Sequence, residues 1–255
     1  MNEGKYIYAI IEASEPQEFT TPGIGERGDK VYTVHHNGLA AVVSSSPSVE
    51  YPVRRDNMMA HQKVLEEVMK KFTLLPVRFC TIAEDEEKIK EKLLKVRFQE
   101  FKDLLVKMIG KVELGVRAFW SDLDSDLAGI FAEIVSENEE IARLKKRIEE
   151  EKSVQKVYAG KIKIGEIVQR ALGKKKKKEA QALLNSLTGL AEDFRENGIL
   201  GDRNILNAAF LVTKEKEEEF DRKINQIQQE FGKRTKLNYF GPIPPYNFVE
   251  VVVTW

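Results

Sequence analysis

The hydrophobic pattern of this 255-residue chain runs through one cycle of strand-like and charged helical segments and then, at Gly110, begins again. A short β-branched run cannot bury itself, and a helix with one apolar stripe needs a sheet or another helix to cover it. A chain written this way must therefore build layers of helices on sheets, an α+β architecture. The restart predicts two units: residues 1–109 as an N-terminal α+β domain and residues 110–255 as a C-terminal one. The length suits two domains better than one.

In the first cycle, "KYIYAIIEA" (Lys5 to Ala13) is rich in β-formers and reads as a strand. Ser14 to Gly28 is a proline- and glycine-rich loop, and Asn37-Gly38 between two apolar runs signals a hairpin of Lys30–His36 and Leu39–Ser45. Asp56 is placed to cap a helix over Asn57–Phe72. "TLLPVRFCTI" is a strand that Pro76 marks as an edge strand or one with a bulge, because proline has no N–H for a ladder. Asp85 opens a charged helix reaching about Ile109.

In the second cycle, "KVELGVRAFW" is a strand whose Gly115 marks a bulge or a close approach. A helical region from Ser121 to about Glu196 is expected to break at Gly160, Gly165 and Gly173. "NILNAAFLVTKE" is a buried strand, Glu215–Phe231 is an amphipathic helix with Phe220, Ile224, Ile227 and Phe231 at helical spacing, and "RTKLNYF" is a further strand. The chain closes on "GPIPPYNFVEVVVTW". Pro242, Pro244 and Pro245 stiffen an extended arm leading into a last buried strand, Val249–Thr254. The arm either aims that strand or presents Tyr246, Asn247 and Phe248 to a partner.

Lys+Arg and Asp+Glu both number 41, so there is no net charge to attract nucleic acid or steer a charged ligand. The block Lys174–Lys178 is read as solvated or mobile surface. A single cysteine, Cys80, allows no internal disulfide and suits a reducing compartment. No secretory pattern and no apolar stretch of membrane-spanning length is present, so a cytoplasmic protein without a lipid-membrane partner is expected.

Motifs for chemistry are weak. "GIGERG" (Gly23 to Gly28) matches a dinucleotide fingerprint but lacks the strand before it and the helix after it. His35 and His36 are neighbours on a strand and point to opposite faces, which does not suit one metal. Arg54, Arg55 and His61 could gather at a helix start as an anion site. Arg78, inside an apolar run, must be paired or outward-facing, with Glu66, Glu67 or Glu113 as partners. Cys80 reads as a small buried hydrophobe rather than a nucleophile. No catalytic residue, cofactor or metal is expected.

Several segments together, in order along nearly the whole chain, resemble the gas vesicle protein F/L family (GvpF/GvpL). They are "YIYAII", "NGLAAVVS", "RRDNMMAHQKVLEEVM", "LLPVRFCTIAEDEEKI", "GKVELGVRAFW", "KIGEIVQ", "ILNAAFLV" and "GPIPPYNFVEV". Cys80 stands where members more usually carry glycine, a departure expected to matter little because both are small. The resemblance implies a modified ferredoxin-like C-terminal domain with a long helical insertion. It also implies an accessory protein or assembly factor of gas vesicles, with the main shell protein and other gas vesicle proteins as partners and no enzyme activity or cofactor. Tyr246, Asn247, Phe248 and the edge at Pro76 are the candidate partner contacts. The alternative is a small-molecule or anion-binding regulatory module built on Arg54, Arg55 and His61.

Overall fold

Asn37 and Gly38 take positive φ of 49° and 84° in the computed structural model, which describes residues 2–121, 124–232 and 234–255. Those angles make the tight hairpin turn whose twist matches its strands. The first sheet comprises β1 (Glu3–Glu12), β2 (Glu18–Phe19), β3 (Val31–His36), β4 (Leu39–Pro47), β5 (Leu74–Pro76) and β6 (Ile82–Ala83). Its order is β2-β3-β4-β1-β5, with β6 also on β1, and its pairings are antiparallel.

β1 is buried on both faces, and every residue from Tyr6 to Ile11 is at 0% exposure. The register to β4 slips between Ile7 and Ala9, which leaves Tyr8 as an extra residue. This bulge shifts the alternation of side chains. Ile7 and Ile10 enter one apolar core with Leu93, Phe101 and Leu105, while Tyr6, Tyr8, Ala9 and Ile11 enter another with Val64, Leu65 and Val68. The second group is covered by α1 (Arg55–Met69). Arg54 occupies its cap position without a side-chain bond. Asp56, the expected cap, lies instead in the first turn and accepts the Asn57 N–H at 3.0 Å.

The other core is covered by a helical segment that does cap on Asp85, whose Oδ1 accepts the Lys88 N–H at 2.7 Å. It is not one helix. α2 (Glu86–Lys88) passes into a π-helical stretch, Ile89–Leu94, and a turn before α3 (Phe98–Met108). Ile89, Leu93 and Leu94 are buried in this stretch.

The second sheet comprises β7 (Lys111–Trp120), β8 (Asp193–Glu196), β9 (Asn204–Thr213) and β10 (Thr235–Ile243), in the order β10-β7-β9-β8. Between β7 and β8 lie α4 (Asp124–Glu137), α5 (Glu139–Glu150) and α6 (Val154–Leu187), and between β9 and β10 lies α7 (Glu217–Phe231). Strand, helices, strand, strand, helix, strand is the ferredoxin-like succession, with three helices in the first crossover. Positions 122 and 123, in the expected opening of the helical region, lie outside the described residues.

Two expectations for this region are corrected and a third is refined. α6 runs for 34 residues straight through Gly160, Gly165 and Gly173, and the breaks fall at Asn138 and Ser153. A helical glycine costs only about 1 kcal/mol, whereas Asn138 Oδ1 accepts the N–H groups of both Glu140 and Ile141 and starts a helix afresh. β8 occupies residues expected to be helical. The lysine block lies within α6, where Lys174, Lys177 and Lys178 are exposed, in line with the solvated reading, while two of its lysines are tied down. Lys175 Nζ meets Glu133 at 2.6 Å, and Lys176 Nζ bonds the Gly201 carbonyl at 2.8 Å and lies over the Trp120 ring.

The expected last strand, Val249–Thr254, does not form. β10 itself takes in Gly241, Pro242 and Ile243, the chain turns at 246–248, and Val251 makes a single parallel bridge to Val77. The chain divides into two compact units, Met1–Leu114 with Leu211–Lys214 and Gly241–Trp255, and Gly115–Phe210 with Glu215–Phe240. A single cut at Gly110 would assign the C-terminal residues to the second unit, but Leu211, Val249 and Val251 are buried in the core of the first.

Gly115 is a close approach. A Cβ there would lie 2.1 Å from the Phe240 ring. Gly115→Ala should therefore destabilise the protein by about 1–3 kcal/mol through overpacking, read as a lower urea midpoint at unchanged slope.

Candidate partner-contact site

Pro244 and Pro245 are buried, and the turn after them is tied back by the Phe248 and Val249 N–H groups donating to the Pro245 carbonyl at 3.0 and 2.9 Å. The turn exposes Tyr246 and leaves Phe248 half-buried against the core of the first unit. Asn247 has an internal role. Its backbone N–H donates to Glu113 Oε2 at 2.8 Å and its Nδ2 to Oε1 at 2.5 Å. Glu113 lies on β7 and is 1% exposed. Burial raises the pKa of its carboxyl, and the two bonds from Asn247 partly offset that rise by favouring the carboxylate. The sequence suggested Glu113 only as a partner for Arg78, but Arg78 is exposed and makes no ion pair among the described residues.

Pro76 is buried at the end of β5, and its edge is occupied. The Val251 N–H donates to the Pro76 carbonyl at 3.3 Å, and the Arg78 N–H donates to the Val251 carbonyl at 3.1 Å. The chain's own C-terminal segment thus takes the position that an added strand would need. Beside it lies a cavity of about 320 Å³ in the first unit, with Met58, Val77, Phe79 and Val249 as apolar walls. Pro76, Tyr246, His61 and Arg78 also line it, so the structure brings together residues the sequence singled out separately.

His61 is not part of an arginine cluster. Arg54 and Arg55 are exposed, and neither lines the cavity. The His61 ring is 3% exposed, sits among Tyr6, Tyr8 and Phe79, and has Nδ1 3.0 Å from Tyr6 Oη. Burial pulls its pKa down to about 4, so it is neutral at pH 7.

Cys80 accepts the Tyr51 N–H on Sγ at 3.1 Å and has φ of 64°. The expectation that cysteine is equivalent to glycine there because both are small needs correction. The position is left-handed, so glycine suits it through backbone freedom, and a side chain costs on the order of 1 kcal/mol. The loop around "GIGERG" is likewise structural, with Gly25 and Gly28 at φ of 94° and 71° and β3, not a helix, after it. His35 uses both ring nitrogens, one on Thr33 Oγ1 and one on the Ala13 carbonyl. Among the described residues no helix is long and apolar enough to cross a membrane.

These features define an α+β protein with a ferredoxin-like strand order in its second sheet and an apolar cavity beside an anchored C-terminal turn. The chain belongs to the gas vesicle synthesis protein GvpL/GvpF family, whose model matches residues 4–250. It is 30% identical to gas vesicle protein F of Streptomyces sp. (strain CB03234), over 96% of this chain and 99% of the relative. It is 26% identical to gas vesicle protein F of Microcystis aeruginosa (strain PCC 7806), over 99% of this chain and all of the relative. The crystal structure of GvpF from Anabaena sp. PCC7120 superposes with a TM-score of 0.81 at 28% identity, covering 98% of this chain and 99% of that one.

Asn247→Ala should cost about 1–3 kcal/mol, because it removes the side-chain donor from a buried carboxyl group. A double-mutant cycle with Glu113→Gln, read by denaturant unfolding, should show coupling between the two positions. His61 should impose a pH dependence. Its pKa is about 4 folded against 6.5 for the ordinary side chain, so the unfolded state binds more protons between those values. Its contribution is present above pH 6.5 and is lost as the pH falls towards 4, a change of roughly 3 kcal/mol. In His61→Gln the fall in stability between pH 7 and pH 4.5 should be shallower by about 2 kcal/mol.

Proposed function

We propose that this protein is an accessory protein of gas vesicles that acts without catalysis, through contacts with the main shell protein and other gas vesicle proteins during assembly. The observation that carries this reading is the family match across residues 4–250. The cavity beside Tyr246 supports it physically. A shell subunit that keeps liquid water out of a gas space must be largely apolar on one face, and that face is an aggregation hazard before assembly. A soluble partner can protect it by offering an apolar surface of its own. Tyr246 and Met58 are exposed at the cavity, with Val77 and Phe79 beside them. Asn247 supports the contact indirectly by anchoring the turn, and Phe248 by packing beneath it. The occupied edge at Pro76 favours docking on the cavity over strand addition. We read the two compact units as domains and the cytoplasm as the place of action.

With no net charge to steer association, the contact is mainly hydrophobic and should resist salt. Co-expression with the main shell protein and pull-down at low and high salt should recover a complex at both, weakened by Tyr246→Ser. Absence of a complex at either salt, with both proteins folded, removes shell-protein contact from the reading. A complex lost at moderate salt keeps the partner and overturns the hydrophobic mechanism. A small-molecule module remains the second reading, favoured by His61 and Arg78 lining one cavity.

A further inference from the structure

The cavity of the first unit contains polar groups that a purely apolar contact leaves unused. Tyr6 is fully buried, and its Oη accepts the Cys80 N–H at 2.9 Å. The phenol proton needs an acceptor of its own, and His61 Nδ1 lies 3.0 Å away. Donation to Nδ1 places the imidazole hydrogen on Nε2. His61 lines the cavity, is 97% buried by its 3% exposure, and has no protein partner for Nε2 among the described residues. Buried N–H groups in native proteins are almost always satisfied by some acceptor. Among the described residues Nε2 is not one of the fully enclosed unpaired side-chain atoms, so its acceptor, water or a bound ligand, comes by way of the cavity.

A second polar group narrows its chemistry. Arg78 also lines the cavity, is exposed, and makes no ion pair among the described residues, which leaves its guanidinium free to reach an anion there. A guanidinium and an imidazole N–H together favour an anion with planar oxygens. Glu250 also lines the cavity, and its negative charge opposes any anion there, a dianion such as phosphate about twice as strongly as a monocarboxylate. The remaining wall is apolar. At about 320 Å³ the space lies at the small end of ligand pockets.

We propose that this cavity is a binding site for a small apolar monocarboxylic acid, with its carboxylate held by the Arg78 guanidinium and His61 Nε2–H and its stem against Met58, Phe79 and Val249. The acid would occupy the cavity on which the shell contact is proposed, but its binding is read on the protein alone, so failure of either experiment leaves the other result standing.

The test uses the full-length protein and 3-phenylpropionate as the probe, followed by calorimetry and by imidazole ¹⁵N resonances. The neutral 3-phenylpropionamide, inorganic phosphate and a short peptide ending in a free phenylalanine carboxylate are run in parallel. The acid should bind saturably, and the amide and phosphate at least tenfold more weakly. The His61 resonances should show the Nε2–H tautomer and shift on adding the acid. Arg78→Gln, a change at an exposed side chain that leaves the fold intact, should weaken the acid at least tenfold and leave the amide unchanged. No saturable binding of acid or peptide up to about 10 mM overturns the site. So does equal binding of acid and amide, or an Arg78→Gln protein that binds the acid normally. Tighter binding of the peptide than of the free acid overturns a free metabolite as the source and assigns the carboxylate to a chain end.

Discussion

The whole first unit depends on β1 being buried on both faces. Ten residues, Glu3–Glu12, must supply apolar side chains to two separate cores. Strict alternation would give each core every second residue. The bulge at Tyr8 changes that phase, so Tyr6 and Tyr8 face α1 while Ile7 and Ile10 face the segment around Leu93 and Phe101. Packing on the tyrosine side places two phenols in the interior, and each finds a polar partner. Tyr8 Oη meets Ser44 Oγ at 2.9 Å and the Ile24 N–H at 2.8 Å, and Tyr6 meets His61 and the Cys80 N–H. These bonds fix the loop at Ile24 and the turn at Cys80, and through His61 they hold one wall of the cavity.

The C-terminal turn is held in a complementary way. Apolar burial of Val249 and Val251 brings the segment to the first unit's core, and the bonds from Asn247 to Glu113 set its register. A buried carboxyl group is a poor source of net stability but a strict specifier of geometry, since only a donor in one place satisfies it. That explains how a stretch with no regular secondary structure beyond Val251 still presents Tyr246 in a defined position.

Membership of the GvpL/GvpF family makes this a gas vesicle protein, and the contact role is our proposal. Charge balance removes long-range steering, the apolar cavity offers a surface, and the turn beside it is anchored. The family is described by gas vesicle synthesis rather than by a reaction. The polar pair in the cavity adds a chemistry that a family description of this kind does not address.

The sequence by itself determined the α+β class, the Asn37-Gly38 hairpin and the amphipathic face of α7 through Phe220, Ile224 and Ile227, and it marked Gly115 as a bulge or a close approach. These follow from local rules of periodicity, turn chemistry and side-chain size. Only the tertiary structure decided the continuity of α6 through its glycines, the loss of the last strand, the return of the C-terminus to the first unit and the pairing of Asn247 with Glu113. Each depends on partners distant in sequence. Asn247 and Glu113 are separated by 134 positions, and no local pattern marks either as the other's partner. The candidate site divides along the same line. Pro76, His61 and Tyr246 stood out locally as a ladder breaker, a titratable ring and an exposed aromatic after a proline arm. Their convergence on one cavity, and the exclusion of Arg54 and Arg55 from it, came from packing, because a helix face, a sheet edge and a chain end meet only when the core between them is built.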